Sequence, residues 1–397
     1  VATMGERFSR RALLGAGAAA AGIAGVGLTA TAGARGLGPA AVATEPFHGV
    51  HQAGIATRPQ AYTTLVALDL RTGHTDRATL RSIMRLWSED AARLTQGLPA
   101  LADTEPELAA DPARLTVTVG YGPELFDAVG LTAHRPATLR PLPSFAVDRL
   151  ESRWCGGHLL LQLCGDNLLT LSHAYRVLTK NVRTMAAIRW IQRGYRAPAG
   201  PSPAGTSMRN VMGQVDGTVS LDGAALDDHV WCSGSDQPWF AGGTVLVLRR
   251  IRAEMDTWDQ VDRHSKELFV GRRLGNGAPL TGSREHDEPD FAAAVNGIPV
   301  IPENSHIALA RHRSDAERFL RRPYNYDDTP PVGQISDSGL LFLAYQRDPA
   351  SQFVPAQQRL SDADALNPWI TPVGSAVFAI PPGAPEGGYL GQQLLEM

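Results

Sequence analysis

The chain is poor in cysteine and almost devoid of lysine. Three cysteines in 397 residues, Cys155, Cys164 and Cys232, are too few for a disulfide framework. Their wide spacing also excludes a compact metal-ligand set. Cys164 closes an apolar run and reads as core, which leaves Cys155–Cys232 as the pairing open to an oxidising compartment. Lys180 and Lys266 are the only lysines, so positive charge rests on arginine, a bias we read as compositional. The net charge is −3, and no basic run is interleaved with aromatics, which excludes nucleic acid as a partner. Phosphate-binding glycine loops, zincin helices and G-x-S-x-G elbows are all missing. At 43% hydrophobic and 19% charged, the composition is that of one large or two medium globular domains.

The first 34 residues read as a targeting segment. Arg7, Arg10 and Arg11 form a basic start, and Ser9-Arg10-Arg11-Ala12-Leu13-Leu14 resembles a twin-arginine export signal. Leu13–Ala30 is apolar but built of Ala and Gly, too small-residued for a spanning helix. Ala32-Gly33-Ala34 fits a cleavage site, with Ala41-Val42-Ala43 as second choice. Cleavage would leave no stable membrane anchor and a more acidic remainder, since three arginines and one glutamate leave with the segment. The twin-arginine export machinery carries folded proteins, so a cofactor could be loaded before export. The expected location is extracellular or in the cell envelope.

Residues 35–46 read as a linker. His48 and His51 form an H-x-x-H pair outside a clear helix, so the spacing does not preset a shared face for a metal. From Tyr62 the element order reads strand (Tyr62–Leu70), helix (from Asp76 or Thr79 to about Gln96), strand (Leu115–Gly120), strand (Leu159–Cys164), helix (Asp166–Thr184), strand (Met185–Gln192). This is the β-α-β-β-α-β order of a ferredoxin-like unit. After a Pro/Gly/Ala linker, Tyr195–Thr206, the order recurs. Thr244–Arg252 is a strand, then Ala253–Gly271 helical. His306–Ala310 and Gly339–Gln346 are strands, Pro349–Leu360 a helix and Gly374–Ile380 the last strand. The expectation is an α+β fold of two tandem ferredoxin-like halves, 47–205 and 206–397, with antiparallel sheets inside and helices outside.

Two stretches carry the chemistry. Asn304–Tyr326 places His306 at the head of a short apolar run and returns Arg321 and Arg322 fifteen residues later. Met212–Thr218, MGQVDGT, sets a lone carboxylate, Asp216, between Gly213 and Gly217, where unencumbered backbone allows close approach. Imidazole, carboxylate and guanidinium together suit a haem peroxide site. These residues resemble the dye-decolourising (DyP-type) haem peroxidases, whose signature is Gly, two variable residues, then Asp-Gly. Further blocks in the same order carry the resemblance: Phe47–Ile55, His158–Cys164, Trp239–Ile251, Gly339–Asp348 and Val373–Gly383. It spans nearly everything after residue 46 and implies a barrel of the dimeric α+β type.

The resemblance implies His306 as proximal iron ligand, with His312 as local rival, and Asp362 or Asp364 as the carboxylate behind it. It implies Asp216 as distal acid–base and Arg321, ahead of Arg322, as the charge-stabilising group. Some relatives carry Asn two residues after this arginine; here that position is Pro323, and Asn325 is not assigned its role. Leu341 and Phe342 are expected to line the distal pocket, and Arg272 or Arg273, with Arg311 as a second candidate, to meet a haem propionate. The absence of Cys-x-x-Cys-His implies non-covalent haem b. The implied activity is reduction of H2O2 with one-electron oxidation of phenols, dyes or another small aromatic reductant. Tyr345 and Tyr326, then Trp239, are the expected route for surface oxidation. Iron release from haem, or a non-catalytic haem carrier, are the alternatives; a carrier has no use for the Asp216–Arg321 pair.

Overall fold

The computed structural model describes residues 43–196 and 207–397; the expected export signal, its expected cleavage site at Ala32-Gly33-Ala34 and most of the Tyr195–Thr206 linker lie outside the described residues. The first half contributes β1 (Tyr62–Leu70), α1 (Arg77–Leu94), β2 (Thr116–Tyr121), β3 (Leu159–Gly165), α2 (Leu168–Val182) and β4 (Ala186–Tyr195). The second contributes β5 (Thr244–Ala253), α3 (Arg263–Val270), α4 (His306–Ala310), β6 (Leu320–Arg321), β7 (Tyr324–Asp328), β8 (Asp337–Gln346), α5 (Phe353–Ala363) and β9 (Ile370–Ile380).

All these strands join one antiparallel sheet. In the first half the order is β4-β1-β3-β2, and in the second β9-β5-β8-β7. The halves meet at two narrow seams, Ala379 opposite Tyr121 and Asn325 opposite Tyr195. The eight long strands thus close into a barrel-like sheet with helices outside. Strands buried on both faces need apolar residues at every position rather than alternation, which explains runs such as LVAL and VLVL. In β1, Leu65 and Ala67 face the interior with Leu160, Leu246, Leu248, Leu343 and Phe378, while Val66 and Leu68 face the outer core. There α1 lays down Leu80, Ile83, Met84, Trp87 and Leu94. Truncating Trp87, wholly buried, to Ala would cost about 3–5 kcal/mol. Asp76 starts α1 by accepting the amide of Thr79 at 2.8 Å.

Three expectations need correction. His306–Ala310 is a one-turn helix, not a strand: Ser305 occupies the N-cap position, and five residues are too few for apolar periodicity to distinguish the two. The strand that fills the vacant place is β7, whose Asn and Asp residues disguise it. The helix expected from Pro349 begins at Phe353. All three cysteines are free thiols, so the Cys155–Cys232 pairing is not formed.

A third, smaller core lies at the ends of β5 and β9. It packs Met212, Trp258, Val270 and Leu366 with Ile307 and Trp369. Met212 opens the MGQVDGT stretch and Ile307 follows His306, so this one cluster supports both sides of the site. The Trp258 indole donates to the Met212 carbonyl at 3.1 Å.

Candidate active site

On one side stands His306, at the start of α4. Its Nδ1 lies 2.6 Å from Oδ2 of Asp364, the residue that ends α5. The Asp364 side chain is fully buried, and its Oδ1 accepts the amide of Leu366 at 3.0 Å. An ionised carboxylate only accepts, so in the neutral ring Nδ1 carries the proton and Nε2 the free lone pair. The imidazole is 34% exposed, while the carboxylate behind it is sealed. Burial alone would lower the His306 pKa, but the Asp364 charge and hydrogen bond outweigh it and hold it above its ordinary value. The Asp216 carboxylate adds to this rise and Arg321 opposes it, so both charges are close enough to act on His306. Between the two carboxylate candidates the geometry selects Asp364; Asp362 sits on the exposed flank of α5 and accepts from Gln358.

On the other side stand Asp216 and Arg321. Arg321 Nη1 donates to Asp216 Oδ1 at 3.3 Å, and its Nη2 to the Val219 carbonyl at 3.1 Å. Both side chains are partly open, 29% for Arg321 and 16% for Asp216. Gly213 and Gly217 both have positive φ, at 86° and 107°, where a side chain would be strained, which accounts for glycine on either side of the carboxylate.

Strand alternation separates Arg321 from Arg322. β6 and β7 hold a single register against β8, with Arg321 opposite Ala344 and Tyr324 opposite Leu341. Arg322 therefore points to the other face, where it is buried and donates to the carbonyls of Ile55 and Thr57 and to Gln60. The same alternation corrects the expected pocket lining. Leu341 faces the barrel interior with Leu343 and Tyr345. Phe342 shares Arg321's side of the sheet, as does Leu340, which the sequence reading missed and a strict period of two would have found.

The remaining assignments divide. Arg272 is buried and donates from Nη1 to the carbonyls of Gly277 and Glu285, whereas Arg273 is exposed. Arg311 is exposed, its guanidinium 4.1 Å from the Phe291 ring centroid. His312 is exposed too. Asn325 is spent on backbone: it accepts the Val211 amide and donates to the Arg209 carbonyl. Tyr345, Tyr326 and Trp239 are all buried, so none offers a surface to a bulky dye; Tyr345 is spent on a 2.6 Å bond to Gln162. His51 stacks on Trp231 and bonds the Gly242 carbonyl, so the H-x-x-H pair is not a metal site.

A carboxylate-backed imidazole within electrostatic reach of a carboxylate–guanidinium pair is a donor set that suits a haem peroxidase, and the free Nε2 fits an iron ligand. The chain belongs to the Dyp-type peroxidase family: residues 52–196 match its N-terminal family and residues 207–385 its C-terminal family. Over 362 residues it is 40% identical to the dye-decolorizing peroxidase of Thermobifida fusca (strain YX), covering 87% of this chain and 84% of that one. It is 35% identical over 373 residues to the deferrochelatase of Yersinia pestis, covering 89% and 85%. The crystal structure of a DyP-type peroxidase from Cellulomonas bogoriensis superposes with a TM-score of 0.87 at 53% identity, covering 90% of this chain and 99% of that one. The protein is a haem peroxidase of this family.

Proposed function

We propose that the chain binds haem b non-covalently through His306 Nε2, reduces H2O2, and oxidises phenolic or dye-like aromatics in one-electron steps. The observation that carries this is the pairing of His306 with Asp364 opposite Asp216 and Arg321. Haem, when bound, supplies the two electrons that peroxide cleavage consumes. The chain supplies the rest. The free oxygen of Asp216 takes a proton from the near peroxide oxygen and returns it to the far one, so that water leaves. Arg321 holds the negative charge that gathers on the departing oxygen, and its link to Asp216 Oδ1 orients the carboxylate for the transfer. Asp364 keeps His306 in the Nδ1–H form and raises the basicity of Nε2. Arg272, Arg273 and Arg311 are the candidate propionate partners. The likeness to deferrochelatases keeps iron release as the second reading. An absorption spectrum of the purified protein before and after peroxide tests the first. A Soret band that shifts with peroxide and returns when a phenol is added is expected; iron lost from an intact porphyrin would favour the second.

We also propose that the barrel consists of two ferredoxin-like halves, 47–205 and 206–397. Each half supports this with the strand order 4-1-3-2 that such a unit requires. Export by the twin-arginine route is proposed on Arg10-Arg11. Replacing both with Lys is expected to leave precursor in the cytoplasm; export at the normal rate would refute the route.

A further inference from the structure

The hairpin that carries Asp216 is too small to hold it alone. Met208 pairs with Asp216 and Arg209 with Val215, and the Asn210 side chain receives the amides of Met212 and Gln214. A two-residue ladder is marginal without outside support. The loop 272–285 supplies that support at three points. Arg209 donates from Nη1 to the carbonyls of Gly213 at 3.0 Å and Leu274 at 2.7 Å, and from Nη2 to Gly275 at 2.7 Å. Gly277 abuts Val215 so closely that a Cβ on it would stand 2.8 Å from the Val215 Cβ. Glu285 Oε1 accepts the hydroxyl of Thr218 at 3.0 Å, two residues beyond Asp216.

The loop is itself closed from within. Arg272 Nη1 donates to the carbonyls of Gly277 at 2.7 Å and Glu285 at 2.8 Å, which fixes both gripping residues to one guanidinium. The Glu285 side chain is 16% exposed, and the exposed His286 imidazole lies 3.9 Å from the same Oε1. A carboxylate this enclosed, spent on a threonine hydroxyl, serves position better than solubility.

We infer that Glu285 is a positioning residue for Asp216, acting through Thr218, and that the 272–285 loop is the clamp that sets the distal carboxylate. The inference rests on Asp216 as the distal acid–base. The clamp also joins the segment bearing Arg272 to the Asp216 hairpin, so a disturbance on one side reaches the other.

The test is a double-mutant cycle on the haem-loaded protein. Thr218→Val and Glu285→Ala should each slow the reaction with H2O2 by ~10–10²-fold, the scale of an ångström-sized misplacement. The double variant should be no slower than either single one. Thr218→Ser and Glu285→Gln keep a hydroxyl donor and an oxygen acceptor, and both should restore the rate. Haem content should be unchanged, while amide hydrogen exchange across residues 211–219 should rise in Thr218→Val and Glu285→Ala. Additive losses, unchanged rates in both single variants, or a Glu285→Gln variant as slow as Glu285→Ala would overturn the clamp. A near-isosteric Thr218→Val that folds and reacts normally overturns it even if Glu285→Ala does not fold. Asp216→Asn separates the two failures: a normal peroxide rate there removes the acid–base assignment itself, whereas a slow one beside a normal Thr218→Val removes only the clamp.

Discussion

Among the described residues, two imidazoles pair with a buried aspartate, and only one of those imidazoles is open. In His306–Asp364 the ring nitrogen lies 2.6 Å from a sealed carboxylate, and a third of the imidazole remains open. In His173–Asp103 the distance is 3.1 Å, and both side chains are 2% exposed. The second pair ties α2 to the loop after α1, and Asp103 also caps that loop by accepting the amide of Glu105. The difference teaches that a carboxylate behind a histidine is not itself a functional signature. What marks His306 is the free nitrogen, its exposure, and two opposing charges close enough to move its pKa.

Replacing each histidine should break the comparison most visibly. His306→Ala is expected to lose haem and its Soret band. His173→Ala should keep both while lowering the melting temperature, because it leaves a buried carboxylate without its partner. Equal haem content in the two variants would mean that exposure and opposing charge do not identify the ligand.

A smaller effect should separate the two members of the Asp216–Arg321 pair. Arg321→Leu is expected to slow the peroxide reaction by ~10²–10³-fold, the cost of a lost charge-stabilising donor. Asp216→Asn should lose ~10²–10⁴-fold as a proton carrier. The two are told apart by pH. As the proton carrier, Asp216 gives the rate an acid limb, so Asp216→Asn flattens that limb while Arg321→Leu keeps it. Stopped-flow rates across pH decide. Wild-type rates in both variants, with haem loaded, would mean that neither residue is the distal catalyst.

The legible part of this site was the part written in short stretches. Gly213–Gly217 and His306 could be read because motif and neighbours are adjacent in sequence. Arg321 was chosen over Arg322 by position, and alternation along β6 gives the physical reason. The same alternation was not applied to β8, so Leu341 was chosen where Leu340 shares Arg321's face. His306–Ala310 was misread because one helical turn and one apolar strand look alike over five residues. Asp364 could not be told from Asp362, since only the end of α5 buries one and exposes the other. The Glu285–Thr218 bond joins residues 67 apart in sequence, and no local pattern announces it.

The smallest expected effect concerns the sealed pair and shows what it does instead of catalysis. Burial would raise the Asp103 pKa, but the Glu105 amide and the His173 imidazole outweigh it and hold the carboxyl below its ordinary 3.8. A carboxyl depressed in the folded state binds its proton less readily than in the unfolded chain. Its contribution to stability is therefore complete above pH 3.8 and is lost as pH falls through the depressed value. Asp103→Asn removes that contribution at every pH. The variant should melt a few degrees below wild type near pH 7, from loss of a charged hydrogen bond worth about 1.5–3 kcal/mol. The gap should narrow as pH falls below 3.8, where the wild-type carboxyl protonates as well. Peroxide turnover at pH 7 should be unchanged, because this pair bonds neither His306 nor the Asp216–Arg321 pair. A gap that persists undiminished to the lowest pH at which both proteins fold would show that Asp103 acts through packing and not through its charge.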